Sequence, residues 1–150
     1  RDSPLAATYS YNLVDHEDGV DDNQGSSAAA ITAYAVSSEF DLDDGHKYMF
    51  VSRVIPDISF DGSTADNPVA TITLSPLANP GAGYTSPTST GGVNNATVTR
   101  TATSPVEVFT EQLDIRVRGR QLSMRVESAA TGVTWQLGSP RLDMRPDGRR

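Results

Sequence analysis

The strongest pattern in the chain is the alternation of apolar and polar side chains in its C-terminal third. Residues 113–118 alternate apolar and charged side chains, and residues 122–127 alternate apolar and polar ones after Gly119 and Arg120. A period of two is typical of strands with one buried face. The short connection with its glycine predicts that the two segments pair as an antiparallel β-hairpin. Residues 133–137 and 142–144 repeat the alternation and predict two more strands.

Further strands are predicted earlier in the chain. Residues 47–55 are rich in β-formers, follow the turn-type sequence of residues 43–45 and are stopped by Pro56. Residues 69–74 place apolar side chains between threonines, which also fits a strand. Residues 28–36 fit a strand or a helix, and we favour the strand because no helix caps flank them.

These elements predict a mainly β fold, an antiparallel β-sandwich-like domain with long polar loops. A chain of 150 residues is one domain's length, since domains usually run to ~100–200 residues. We divide it into a polar, acidic N-terminal arm or extended segment over residues 1–39 and an antiparallel β domain over residues 40–150. Residues 75–104 are dominated by Ser, Pro, Asn, Gly and Thr and predict a long loop that reaches a neighbour.

Composition removes several classes of protein. The chain contains no cysteine, which excludes disulfides, thiolate metal sites and a cysteine nucleophile. No segment approaches the ~20 consecutive apolar residues of a membrane-spanning helix, so we expect no membrane span. The chain begins at Arg1 and not at Met, and we expect it to be a piece of a longer protein.

The net charge of −7 conceals an uneven distribution. Residues 1–100 carry 13 acidic and 4 basic residues, whereas residues 101–150 carry 6 acidic and 8 basic residues, all of them arginine. Arginine presents a planar fork of donors that suits carboxylates, phosphates and backbone carbonyls. An arginine-only segment therefore indicates fixed ion pairs or an interface.

The eight C-terminal arginines allow three interpretations. They form structural ion pairs with acidic residues nearby, they contact an acidic neighbouring subunit, or they contact phosphates. The arginines are Arg116, Arg118, Arg120, Arg125, Arg141, Arg145, Arg149 and Arg150, and the acidic candidates are Asp114, Glu127, Asp143 and Asp147.

Candidate catalytic and metal-binding residues are few. The acidic residues at 15–22 and at 41–44 could bind calcium, but neither group matches a spaced calcium loop, and solvated turns are the simpler interpretation. His16 and His46 lie within or beside these acidic segments, and no serine occupies a nucleophile elbow. We therefore expect no enzyme activity, no cofactor, no metal and no catalytic residue. Trp135 is expected to pack in the core, with an exposed stacking platform as the alternative.

Five segments together resemble the C-terminal region of large structural proteins in tailed bacteriophages, of the tail nozzle, tail tubular or virion-stabilisation type. The resemblance covers residues 40–60 and 111–150 and is most specific over the last forty residues. The segments are FDLDDG (40–45), FVSRVIPD (50–57), RVRGRQ (116–121), WQLGSPRLD (135–143) and RPDGRR (145–150).

This resemblance implies a non-enzymatic virion subunit that assembles as a ring around the DNA channel of a phage tail. Its partners would be copies of itself and other virion proteins, with passive contact to packaged DNA. Acidic residues lining the channel would repel the DNA, and arginines would join the subunits. The subunit-contact residues predicted on this basis are Arg116, Arg118, Arg120, Arg141, Arg145, Arg149 and Arg150.

Two other functions stay open at the level of sequence. The chain could be a β-sandwich module that binds glycans or a cell surface, with Trp135, Tyr9, Tyr11 or Tyr84 as stacking platforms. It could also be the repeating subunit of an extracellular filament, which exchanges its polar arm or N-terminal stretch with a neighbour's sheet edge.

Overall fold

The fold was analysed on a computed structural model that describes residues 19–22, 27–77 and 101–148. The described chain is mainly β and contains no α-helix, with one short 3-10 turn at Asp43–Gly45. Its strands are β1 (Asp21–Asp22), β2 (Ala29–Ala30), β3 (Ala33–Val36), β4 (Phe40–Asp41), β5 (Met49–Ile55), β6 (Ile58–Ser59), β7 (Val69–Leu77), β8 (Ala102–Glu107), β9 (Leu113–Gly119), β10 (Gln121–Ser128), β11 (Gln136–Leu137) and β12 (Arg141–Pro146).

Two antiparallel sheets contain most of these strands. In the larger sheet the order is β3-β10-β7-β8, and β4 pairs with β10 along the same edge as β3. In the smaller sheet β5 lies between β12 and β9. Two minor sheets join β1 to β2 and β6 to β11. The predicted mainly β, antiparallel, sandwich-like fold is confirmed.

The core lies between the two main sheets, where their apolar faces meet. Both sheets contribute side chains that are fully buried or nearly so, and removing such a side chain from water stabilises the fold by about 1.5–3 kcal/mol. The larger sheet supplies Ala70, Ile72, Leu74, Val106, Leu122, Met124 and Val126, and the smaller sheet supplies Met49, Val51, Val54, Leu113, Ile115 and Val117.

The predicted hairpin of residues 113–118 and 122–127 is wrong. Both segments are strands with the predicted alternation, but β9 pairs with β5 and β10 pairs with β7, so they belong to different sheets. The chain crosses from one sheet to the other between them, and both strands turn their apolar faces toward the shared core. Alternation specifies which face of a strand is buried. The same alternation occurs in two strands that pair within one sheet and in two strands that pack against each other from different sheets.

Gly119 makes the crossing between the sheets possible. A Cβ atom on this residue would lie 2.8 Å from Cβ of Pro76 and 2.9 Å from the carbonyl oxygen of Gln121. The backbone N–H of Arg120 then donates to the carbonyl of Leu77 at 2.9 Å, which ties the crossing to the end of β7. A residue without a side chain is needed because the backbones approach so closely.

The ordered sheet extends beyond two predicted boundaries. Residues 33–36, placed in the N-terminal arm by the sequence, form β3 and pair with residues 125–128 of β10. Residues 75–77, placed in the long loop, continue β7 because residues 121–123 of β10 offer them partners. At the other end of that loop β8 begins at Ala102, and residues 78–100 lie outside the described part of the chain.

We predict that Gly119→Ala lowers the free energy of unfolding by about 1–3 kcal/mol, because the added methyl group overpacks the crossing against Pro76. Urea denaturation followed by circular dichroism measures the change. Thr131→Ala, at an exposed position in the turn after β10, is the control and should change the free energy by less than about 0.5 kcal/mol. Equal stability of the two variants would contradict the close approach at Gly119.

Candidate subunit-contact surface

The outward side of the smaller sheet carries a surface rich in arginine, which we call the arginine face. The alternating burial of β9 and β12 turns their charged residues away from the core, and β5 contributes to the same side. The charged residues of the arginine face are Arg53, Arg116, Arg118, Arg141, Arg145, Asp114 and Asp143. Five arginines against two aspartates make this face basic, in a chain whose net charge is −7.

Strand register arranges the face in rows. Phe50 of β5 lies opposite Arg118 on one side and Arg145 on the other, so one row runs from arginine through an aromatic ring to arginine. In a second row Arg53 lies between Asp114 and Asp143. Its guanidinium forms an ion pair with Asp143, with Nη2 at 3.4 Å from the carboxylate oxygen. Side chains opposite each other on one face of a sheet interact directly, so each row acts as a unit.

Arg118 is held on the face by three contacts. Its Nε donates to Oδ2 of Asp147 at 2.5 Å, and its Nη2 donates to the carbonyl of Asp147 at 3.1 Å. Its guanidinium also stacks over the ring of Tyr48, 4.1 Å from the centroid. The side chains of Arg118 and Asp147 are both 43% exposed, so water weakens the ion pair, and exposed pairs contribute at most about 1 kcal/mol. The contacts orient the guanidinium more than they stabilise the fold.

Arg120 and Arg145 also lie against aromatic rings. Arg120 lies at the crossing, with its guanidinium carbon 5.0 Å from the ring centroid of Tyr48. Its Nη1 donates to the carbonyl of Gly45 at 3.5 Å, at the limit of a hydrogen bond. Arg145 lies over Phe50 at 4.8 Å. An aromatic ring attracts a guanidinium through its quadrupole, so these rings help to orient both side chains.

Arg116 and Arg141 differ from the other arginines of the face. Both are exposed, and in the described part of the chain neither forms an ion pair or lies over an aromatic ring, whereas Arg145 lies over Phe50. The structure thus brings Arg116, Arg118, Arg141 and Arg145 to one surface and places Arg120 at its end. The remaining two predicted contact residues, Arg149 and Arg150, lie outside the described residues.

The structural ion-pair interpretation holds for a subset of the arginines. Arg118 pairs with Asp147 as expected, and Arg125 pairs with Glu127 at 2.7 Å. Arg125 lies on β10, however, and therefore on the other sheet, where it stacks over Tyr34 at 4.2 Å. The predicted single charged face of a hairpin is in reality two faces on opposite sides of the sandwich.

Tyr48, Phe50 and Arg53 are parts of the arginine face that were not predicted from the sequence. Apolar positions Met49, Val51 and Val54 of β5 all point into the core, and the register shifts between Val51 and Arg53. This bulge breaks the period of two, so the strand looked buried on both sides. The signal that could have found Tyr48 and Phe50 was the sequence Tyr-Met-Phe-Val, in which aromatic and aliphatic side chains alternate before the bulge.

A second candidate site is an open cavity of about 420 Å³ beside Trp135. It is lined by Gly19, Val20, Ile31, Ala33, Tyr34, Val133, Thr134 and Trp135. Trp135 is half-buried and packs against the core, as expected, while it also lines the cavity. Its indole N–H is buried and has no hydrogen-bond partner among the described residues. The other predicted platforms, Tyr9, Tyr11 and Tyr84, lie outside those residues.

The acidic turn at 41–44 has a structural arrangement of its own. Asp43 forms an ion pair with Lys47 at 2.9 Å, and Asp41 accepts a hydrogen bond from the side-chain amide of Gln121 at 3.2 Å. Within the described ranges no three His, Asp or Glu side chains are grouped closely enough to hold a metal ion. His46 is exposed, and His16 and most of the acidic segment at 15–22 lie outside these ranges.

None of the helical structure in the described residues is long and apolar enough to span a membrane.

Comparisons with protein-family models and with curated proteins give no match for this chain. Its function therefore has to be inferred from the arginine face, from the Trp135 cavity and from the sequence resemblance described above.

Proposed function

We propose that this chain is a non-enzymatic structural subunit of a phage virion, part of a tail nozzle or tail tube, which assembles as a ring around the DNA channel. The observation that carries the proposal is the pair of exposed arginines, Arg116 and Arg141, on a basic face where neither meets a carboxylate within the described chain. The sequence resemblance supplies the virion setting. The partners are copies of the chain and other virion proteins.

Charge distribution supports contact between copies. The connections between β5 and β7 carry exposed aspartates, Asp57, Asp61 and Asp66, which lie outside the strands of the arginine face. A contact between the arginine face of one copy and an acidic surface of the next joins two different patches. Such a head-to-tail contact closes into a ring when the rotation between neighbours divides a full turn.

The stacked arginines strengthen this interpretation. Tyr48 and Phe50 hold Arg118 and Arg145 in place before any partner arrives. Immobilising a mobile side chain on association costs about 0.5–1.5 kcal/mol, and a side chain that is already oriented avoids most of this cost. Aromatic-backed guanidinium groups are therefore suited to an interface, whereas a merely solubilising face would not need them.

We predict that the double variant Arg116→Ala, Arg141→Ala no longer forms the ring, while its free energy of unfolding changes by less than about 0.5 kcal/mol, since neither side chain has an internal ion pair to lose. Sedimentation velocity measures the assembly and urea denaturation measures the stability. Raising the salt concentration should dissociate the wild-type assembly in the same way, because salt screens exposed charges.

The single variants Arg116→Ala and Arg141→Ala are compared with Lys47→Ala as a control. Lys47→Ala also removes one positive charge, but it removes it from the turn that contains Asp43 and not from the arginine face. It should assemble like the wild type. Assembly of the double variant that equals wild type would overturn the proposal. A wild-type chain that stays monomeric but binds duplex DNA with a strong salt dependence would replace it with the phosphate-binding interpretation.

The cavity beside Trp135 supports a second candidate function, a glycan-binding module. Aromatic side chains and an indole N–H without an acceptor among the described residues are suited to the apolar face and the hydroxyl groups of a sugar. Tyr34, 62% exposed, stands at the same cavity.

Trp135 is the only tryptophan of the chain, so fluorescence excited selectively at tryptophan reports on this cavity alone. If the module binds glycans, titration with neutral oligosaccharides should shift the Trp emission of the wild type, and Tyr34→Ala should weaken binding by about tenfold, the effect of losing one stacking contact worth roughly 1.4 kcal/mol. Val108→Ala, an exposed apolar position between β8 and β9, is the control. An unchanged emission spectrum across the oligosaccharides tested would remove this candidate.

A further inference from the structure

The outer edge of β3 combines exposure, apolar side chains and a lack of charge. Tyr34 is 62% exposed and Val36 is 52% exposed, and Ile31 just before the strand is 52% exposed. Residues 27–38 contain no charged residue, no proline and no glycine. β3 pairs with β10 on one side, and no other described strand pairs with its second side. An edge of this kind is a template for another strand.

The other described edges of the two main sheets are protected against such pairing. Proteins block strand edges with charged side chains and proline. β4, which continues the edge of β3, has Asp41. The remaining edges are β8, β9 and β12, and each carries charged residues, proline or both. These residues are Pro105 and Glu107 on β8, Asp114, Arg116 and Arg118 on β9, and Arg141, Asp143, Arg145 and Pro146 on β12. β3 is therefore the unprotected edge among the described edges of the two main sheets, and the strand that suits it best is another uncharged one.

We propose that β3 pairs in antiparallel fashion with β3 of a second copy of this chain, about a two-fold axis at Ala35. The two larger sheets then form one continuous sheet across the dimer. This proposal does not rest on the virion function or on the arginine face. It adds a contact that relates identical surfaces, whereas the arginine face relates different ones.

Backbone geometry determines which groups of β3 are available. Ser37 donates its backbone N–H to the carbonyl of Met124 at 2.8 Å. In an antiparallel ladder the hydrogen-bonded residues alternate, so Ala35 also points its N–H and C=O toward β10. Tyr34 and Val36 point theirs away from β10. A register centred on Ala35 places Tyr34 opposite Val36 of the second copy, which allows four backbone hydrogen bonds between the copies.

Side-chain charges are compatible with this register. Tyr34 lies opposite Glu127 of β10, and Val36 lies opposite Arg125. Pairing about Ala35 therefore produces a row that begins at Glu127, passes through Tyr34 and then Val36 of the second copy, and ends at that copy's Arg125. Each row has opposite charges at its two ends, and no like charges become neighbours across the dimer. The pairing also covers the two exposed apolar side chains.

The first test removes the backbone donor of Val36. Val36→Pro deletes an N–H that points away from β10, so the pairing of β3 within its own sheet is retained. Two of the four intermolecular hydrogen bonds are lost, and the dimer dissociation constant measured by sedimentation equilibrium should rise by at least about tenfold. Val36→Thr keeps the N–H and the branched side chain and should dimerise like the wild type. Near-ultraviolet circular dichroism of both variants verifies that they fold.

The second test reads the register directly, in a chain that has no cysteine of its own. In the Ala35-centred register the two Ala35 residues face each other as a non-hydrogen-bonded pair with Cα atoms about 4.5 Å apart, a distance that a disulfide spans. Ala35→Cys should therefore form a covalent dimer under mild oxidation. Ala33→Cys is the matched control, equally exposed on the same face of β3, and its two copies would lie roughly 13 Å apart along the strands.

Both tests are made in the Arg116→Ala, Arg141→Ala background as well as in the wild type, so that failure of the arginine-face contact is not mistaken for failure of this one. Dimers that require the Val36 N–H and crosslink at Ala35 support the proposal. It is overturned by a monomer at every concentration, by a Val36→Pro variant that dimerises like Val36→Thr, or by crosslinking of Ala33→Cys that equals that of Ala35→Cys. If the partner of this edge is a different protein, the chain on its own would stay monomeric at every concentration, and the proposal would be overturned.

Discussion

Burial of one apolar layer between two sheets is the constraint on which the rest of this structure depends. Residues that follow each other in sequence, those of β9 and β10, contribute to opposite sides of the layer. The chain must therefore change sheets within a very short connection, and it does so where Gly119 passes Pro76 without a side chain between them. Because the inward faces are used for the core, the outward faces and the strand edges remain for contacts with other molecules.

The outward faces of the two main sheets carry different side chains, so each face is suited to a different kind of contact with other molecules. The smaller sheet presents the arginine face, whose guanidinium groups are oriented by Tyr48, Phe50 and Asp147. The larger sheet presents Thr73 and Thr103, which share a hydrogen bond at 3.2 Å, together with the ion pair of Arg125 and Glu127. In the two proposed contacts, screened charge would act on the first side and backbone pairing at an edge on the second, so salt would affect one kind of contact more than the other.

Sequence alone predicted the strands and the buried faces well, because the alternation in residues 113–118 and 122–127 has one physical cause, a single apolar side. It could not predict the partner of each strand. A hairpin and a crossing between sheets bury the same residues, and the choice between them depends on the close approach at Gly119. The arginines of the candidate face could be predicted because the C-terminal segment contains so many of them. Phe50 and Arg53 could not be predicted, because a bulge in β5 interrupts the period of two in that strand.

The symmetry of the two proposed contacts determines what they could build together. A contact between the arginine face and an acidic patch would relate unlike surfaces and would form a ring if the rotation between neighbours closes, while pairing of β3 with itself would relate like surfaces and join subunits two by two. The two surfaces lie on different sheets of the sandwich, so one copy can use both without overlap. A ring formed by the first contact would then be doubled by the second into an assembly with dihedral symmetry. If β3 pairing rests on backbone hydrogen bonds and apolar cover, this second contact would persist at salt concentrations that dissociate the ring, because neither of these interactions depends on screening.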